Sequence, residues 1–113
     1  MGNTMKDPPS ETIGLLERLR ARDRRALAEV FQRHRGRLRR MVELRMDPRL
    51  HGRIDPSDVL HDGFLDLAKR VESYLSDPTL PVFLWLRLVI SDRLATYHRH
   101  HLGTALRDAR REV

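Results

Sequence analysis

Residues 55–71 read DPSDVLHDGFLDLAKRV. Asp55 supplies a side-chain acceptor for the free amides of a helix start. Pro56 suits the first turn because its missing N–H would have been unpaired there anyway, and Asp58 adds a carboxylate near the positive end of the helix dipole. Behind them Leu60, Phe64, Leu67, Ala68 and Val71 recur at steps of three and four, the spacing of one helix face. A short loop, LSDPT at 75–79, leads to PVFLWLRLVISDRLATYHRHH at 81–101. The first half of that segment is apolar nearly all round, as expected of the central helix of a small bundle. Gly103 is expected to end it. The remaining tail, TALRDARREV at 104–113, is helix-prone with a thin apolar face.

Toward the N-terminus, MDPRLHGRID at 46–55 holds Pro48 and Gly52 and predicts a loop. Before it, Asp23 is placed to cap a helix carrying Leu27, Val30, Phe31, His34, Leu38, Met41 and Val42 on one face. Arg33, Arg35, Arg37, Arg39 and Arg40 crowd its other side. Ser10 is a candidate cap for a first helix with Ile13, Leu16 and Leu19, and residues 1–9 read as a disordered arm. No segment alternates as a half-buried strand would. The prediction is an all-α bundle of about four helices over residues 10–103, followed by a helical or flexible tail.

The 113 residues suit one domain with a lean core: 40% are hydrophobic and 34% charged. Lys and Arg number 22 against 16 acids, a formal charge of +6, and lysine occurs only at Lys6 and Lys69. An arginine excess favours an acidic or polyanionic partner, although a solvated arginine-rich surface would look the same in composition. The absence of cysteine excludes disulfides, thiolate metal sites and cysteine nucleophiles. No apolar run is long enough for a membrane span, and the N-terminus lacks a secretory core, so a cytoplasmic protein is expected.

Charge is segregated along the chain. Thirteen arginines fall between Arg18 and Arg53. From Asp55 to Leu80 the sign reverses, with Asp55, Asp58, Asp62, Asp66, Glu72 and Asp77 against Lys69 and Arg70; beyond Pro81 it is basic again. Carboxylates repel phosphate, so the acidic helix suits a protein partner and the last helix suits nucleic acid. Weak surface pairing between neighbouring segments is the plainer alternative.

The segment DPSDVLHDGFLDLAKR resembles the second conserved region of extracytoplasmic-function sigma factors of the sigma-70 family, with Asp58, Val59, Leu60, His61, Asp62, Phe64 and Leu65 in the motif positions. FLWLRLVISDRLATYHRHH resembles the promoter-melting regions that follow, through Phe83, Trp85, Leu86, Val89, Ile90, Asp92, Thr96 and Arg99. The likeness covers residues 22 to 113. His61, Asp92 and Thr96 depart from the usual Gln, Asn and Asp.

The resemblance implies docking on the beta-prime coiled coil of core RNA polymerase through Asp58, His61, Asp62 and Leu65. It also implies recognition and melting of the promoter −10 element. Residues 76–81, with Ser76, Asp77 and Thr79, would form the pocket for a flipped non-template base, with Arg87, Arg93, Tyr97, His98 and Arg99 along the strand. An anti-sigma factor is a possible further partner and self-association of the isolated domain a further possibility. The tail resembles a connector toward a −35-reading domain, which makes a fragment of a longer protein the expectation.

Trp85, in the middle of an apolar helix, is expected in the core, as are Phe64 and Phe83; Tyr97 and His98 are better stacking candidates. The run His98 to His101 has too few aligned ligands for a metal site, so neither metal nor cofactor is expected. Two alternatives remain beside the sigma reading. One is a generic basic DNA-binding or adaptor module. The other is a metal-dependent phosphohydrolase built on His61–Asp62 with His34 and Asp92; otherwise no enzyme is expected.

Overall fold

The computed structural model describes the backbone of residues 9–111 and the side chains of residues 14–23 and 25–103. Four helices follow in order: α1 (Pro9–Arg20), α2 (Arg24–Arg45), α3 (Pro56–Ser76) and α4 (Val82–Arg111), with a single 3₁₀ turn at Pro48–Leu50 between α2 and α3. The described residues contain no strand. None of their helices is long and apolar enough to cross a membrane. The expected disordered arm falls almost wholly outside the described residues.

Three aspartates start three of these elements in the same way. Asp23 accepts from the Arg25 amide at 3.0 Å, Asp47 from Arg49 at 2.9 Å and Asp55 from Ser57 at 2.8 Å. Each satisfies an amide that the first turn leaves without a partner. Ser10 does not cap α1; it lies inside a helix that begins at Pro9, a residue suited to a first turn. Nor does Gly103 end α4, which continues to Arg111. One glycine costs a helix about 1 kcal/mol, and the Ala, Leu and Arg residues that follow favour helix strongly enough to carry it through.

α3 packs on both α2 and α4, and α1 closes over α2 and α3. The α2 stripe is as predicted: Leu27, Val30, Phe31, His34, Leu38, Met41 and Val42 are all buried. On α3 the stripe is wider and rotated. Val59, Leu60, Gly63, Leu67 and Tyr74 are buried, Phe64 and Val71 are partly so, and Ala68 is exposed. A helix wedged between two neighbours must bury two adjoining faces, which displaces the edge residue Ala68 to solvent. Gly63 permits the closest approach: a Cβ there would stand 2.2 Å from Ile90 Cδ1.

Trp85 is in the core, stacked on Tyr74 with ring centroids 4.4 Å apart. The 46–55 connection is anchored by buried Met46, Leu50 and Ile54. His98 of α4 secures it further by accepting from the Asp47 amide at 3.2 Å.

Candidate docking and nucleic-acid surfaces

The acids of α3 divide between two faces. Asp58, His61 and Leu65, spaced i, i+3 and i+7, are exposed along one outer stripe, and Leu65 leaves 46% of its surface to solvent. Asp62 and Asp66 turn instead toward α4. Asp62 accepts from the Tyr97 hydroxyl. Asp66 takes a two-pronged contact from Arg93, at 2.7 and 2.8 Å.

The Arg93 guanidinium holds the Asp66 carboxyl below the usual carboxylate range, and Asp66 raises Arg93 in return. Burial first, and then the hydrogen bond to Asp62, push the Tyr97 phenol up to about 12. The docking set inferred from the sequence is thus split. Asp58, His61 and Leu65 face outward, while Asp62 is tied to the neighbouring helix.

Beside His61 a cleft of about 270 Å³ opens between α2 and α3. Phe31, Leu60 and Phe64 form its apolar floor, and Gln32 and Arg35 belong to the α2 wall. These α2 residues were not candidates in the sequence, because their adjacency to His61 depends on how two helices pack.

At the far end of α3, Ser76, Asp77 and Thr79 are exposed. The Ser76 hydroxyl donates to the Ser73 carbonyl at 2.8 Å, and the Asp77 amide donates to the Tyr74 carbonyl. Tyr74 braces this loop from beneath: its ring lies on Trp85 and its hydroxyl donates to the Leu80 carbonyl. Burial raises the phenol of Tyr74, favouring the protonated donor.

The basic candidates on α4 do not form one surface. Arg93 is engaged by Asp66. Tyr97 bonds Asp62, with its ring stacked on His101 at 5.8 Å. His98 holds the 46–55 connection. Arg99 is exposed and donates to the Thr96 hydroxyl at 3.2 Å. Asp92 pairs with Arg70 at 3.1 Å.

Arg87 faces the other way, into a groove between α4 and α2 that also contains Arg37, Arg40 and Arg45. The arginine row of α2 was visible in the sequence. Which of its members lack a carboxylate was not, because Arg39 pairs with Glu43 while Arg40, one residue on, makes no ion pair among the described residues.

Among the described residues no three His, Asp or Glu side chains converge as metal ligands. The residues proposed for a phosphohydrolase are dispersed: His34 is buried against Phe83, His61 is exposed on α3, and Asp92 pairs with Arg70. No protein-family model matches this chain, and comparison with curated proteins and with solved structures likewise finds no match.

Proposed function

We propose that this domain is the polymerase-docking and promoter-opening domain of a bacterial sigma factor of the extracytoplasmic-function type. The observation that carries the reading is the outer stripe of α3. Asp58, His61 and Leu65 stand exposed on one helix face, while the neighbouring acids Asp62 and Asp66 are consumed in contacts to α4. An exposed leucine beside two polar anchors is the composition of a protein-docking patch, and the carboxylate of Asp58 disfavours phosphate.

The motif order supports the same reading: the acidic block precedes the Trp-Leu block across a short loop. That loop presents Ser76, Asp77 and Thr79 outward over the Tyr74–Trp85 stack, a rigid base suited to gripping an unstacked nucleotide. Arg87 and Arg99 remain as cations for the strand. Arg93, Tyr97 and His98 act in this reading as struts that hold α3, α4 and the 46–55 connection in register.

The deciding experiment is capture of core RNA polymerase, and of its isolated beta-prime coiled coil, by wild type and by Asp58→Arg. Loss of at least about tenfold in affinity with an unchanged melting temperature is expected, since Asp58 is exposed. Equal capture by both proteins would remove the assignment. Exchange of residues 76–81 for those of another sigma factor should change which −10 base is preferred in single-stranded oligonucleotides, and an unaltered preference would refute the role of the loop.

A further inference from the structure

The groove between α2 and α4 gathers four arginines around a concave surface. Its volume is about 320 Å³. Arg37, Arg40, Arg45 and Arg87 supply its charge, and among the described residues no carboxylate lines it. The contrast with other arginines is direct: Arg18, Arg39, Arg49, Arg70 and Arg93 each pair with an acid of the same chain. Four cations gathered around a concave surface without counter-charge focus a positive field there.

The apolar part of the same surface is mainly aliphatic. Leu44 lines the groove with 78% of its surface exposed. Leu84 and Leu88 do not line it; 44% and 50% exposed, they stand on the adjoining strip of α4, each about 100° round the helix from a lining residue. Phe83, the aromatic residue present, is already covered: the Arg37 guanidinium sits 4.0 Å from its ring centre and the His34 ring 5.0 Å away. A nucleic-acid strand draws on open aromatic faces for its bases. An exposed leucine beside unpaired arginine forks instead matches a helix with an aliphatic stripe flanked by carboxylates.

We propose that the α2–α4 groove docks an acidic amphipathic helix of a protein partner, with Leu44 receiving its apolar stripe and Arg40, Arg45 and Arg87 its carboxylates. No residue of α3 lines the groove, so this surface is separate from the Asp58 stripe and the proposal does not depend on polymerase binding. Where the domain also holds a DNA strand through Arg87, a helix seated in the groove competes for that side chain.

The test is fluorescence anisotropy at about 0.15 M salt, where bare surface attraction is largely screened. The probes are a labelled Glu-rich peptide with leucines at helical spacing, the same peptide scrambled, and an oligothymidylate. The patterned peptide should bind at least about tenfold more tightly than the scrambled one, which shares its charge but not its stripe. Leu44→Ser should weaken it several-fold, and Arg40→Glu with Arg45→Glu at least about tenfold. Both variants change exposed side chains, and circular dichroism checks that they fold.

Equal binding of the two peptides, no binding of either, or indifference to Leu44→Ser overturns the proposal. So does tight binding of oligothymidylate that depends on Arg40 and Arg45 while the patterned peptide fails to bind, which would make the groove a strand track. None of these outcomes bears on capture of polymerase through Asp58.

Discussion

Gly63 and Arg22 are single positions where the backbone, not the side chain, sets the requirement. Gly63 lets α3 and α4 touch, and an added Cβ would overlap the end of Ile90, a residue with no exposed surface. Gly63→Ala should therefore cost about 1–3 kcal/mol in chemical denaturation, from overpacking. Ile90→Val removes the overlapping methyl, so the double variant should recover much of that loss, and strict additivity of the two changes would contradict the contact. Arg22 adopts φ 62° at the end of α1, where the Asp23 amide reaches the Arg18 carbonyl and the Arg22 amide the Leu19 carbonyl. That left-handed closure favours glycine. Arg22→Gly should accordingly raise stability by about 0.5–1 kcal/mol, since the steric cost at a side-chain-bearing residue is removed.

Between elements, the Asp66–Arg93 and Asp62–Tyr97 contacts lock α3 to α4, and each carries a pH signature. Asp66 has its acidity strengthened in the fold by Arg93, so its contribution is present above the ordinary carboxylate value of 3.8 and is lost as pH falls through the lower folded value. Arg93→Met should cost about 2 kcal/mol near neutral pH by leaving Asp66 half-buried without its partner. The gap between variant and wild type should narrow below pH 3.8; a gap independent of pH would mean that packing of the Arg93 stem dominates. Tyr97 shifts the opposite way. Its stabilising contribution is present below its ordinary 10.0 and is lost as pH rises toward about 12. Melting curves of wild type should fall more steeply across that interval than those of Tyr97→Phe, which has no phenol to ionise.

For the whole molecule, the formal charge of +6 understates how selectively charge is presented. Internal pairs consume many arginines on the α1 and α3 sides, and four that form no ion pair among the described residues collect between α2 and α4. Binding of single-stranded DNA, if Arg99 contacts a phosphate as the proposed function requires, should weaken with salt. The Arg99→Gln variant should show a logarithmic slope reduced by about 0.7, the value for one phosphate contact on a single strand. An unchanged slope would place Arg99 away from the strand.

The all-helical class, the capped starts of α2 and α3 and the buried stripe of α2 were legible in the chain itself. Local signals carry them: a capping aspartate followed by apolar residues at steps of three and four is a property of neighbouring residues alone. Trp85 was placed correctly for the same reason, by the apolar run around it. The extent of α4 past Gly103 was not, because a single glycine lowers helix stability without terminating it. Ala68 was misplaced because one helical stripe does not reveal how many neighbours a helix must face.

The candidate site was legible only in part. Its residue types and their order were readable, but their engagement was not. Arg87 and Arg93 look alike in sequence, yet one lines an open groove and the other is clasped by Asp66 across 27 positions of chain. Sequence determined which groups are available, since capping and periodicity act over a few residues. Only the tertiary structure decided which charges remain free, because pairing depends on distances between helices that no local pattern encodes.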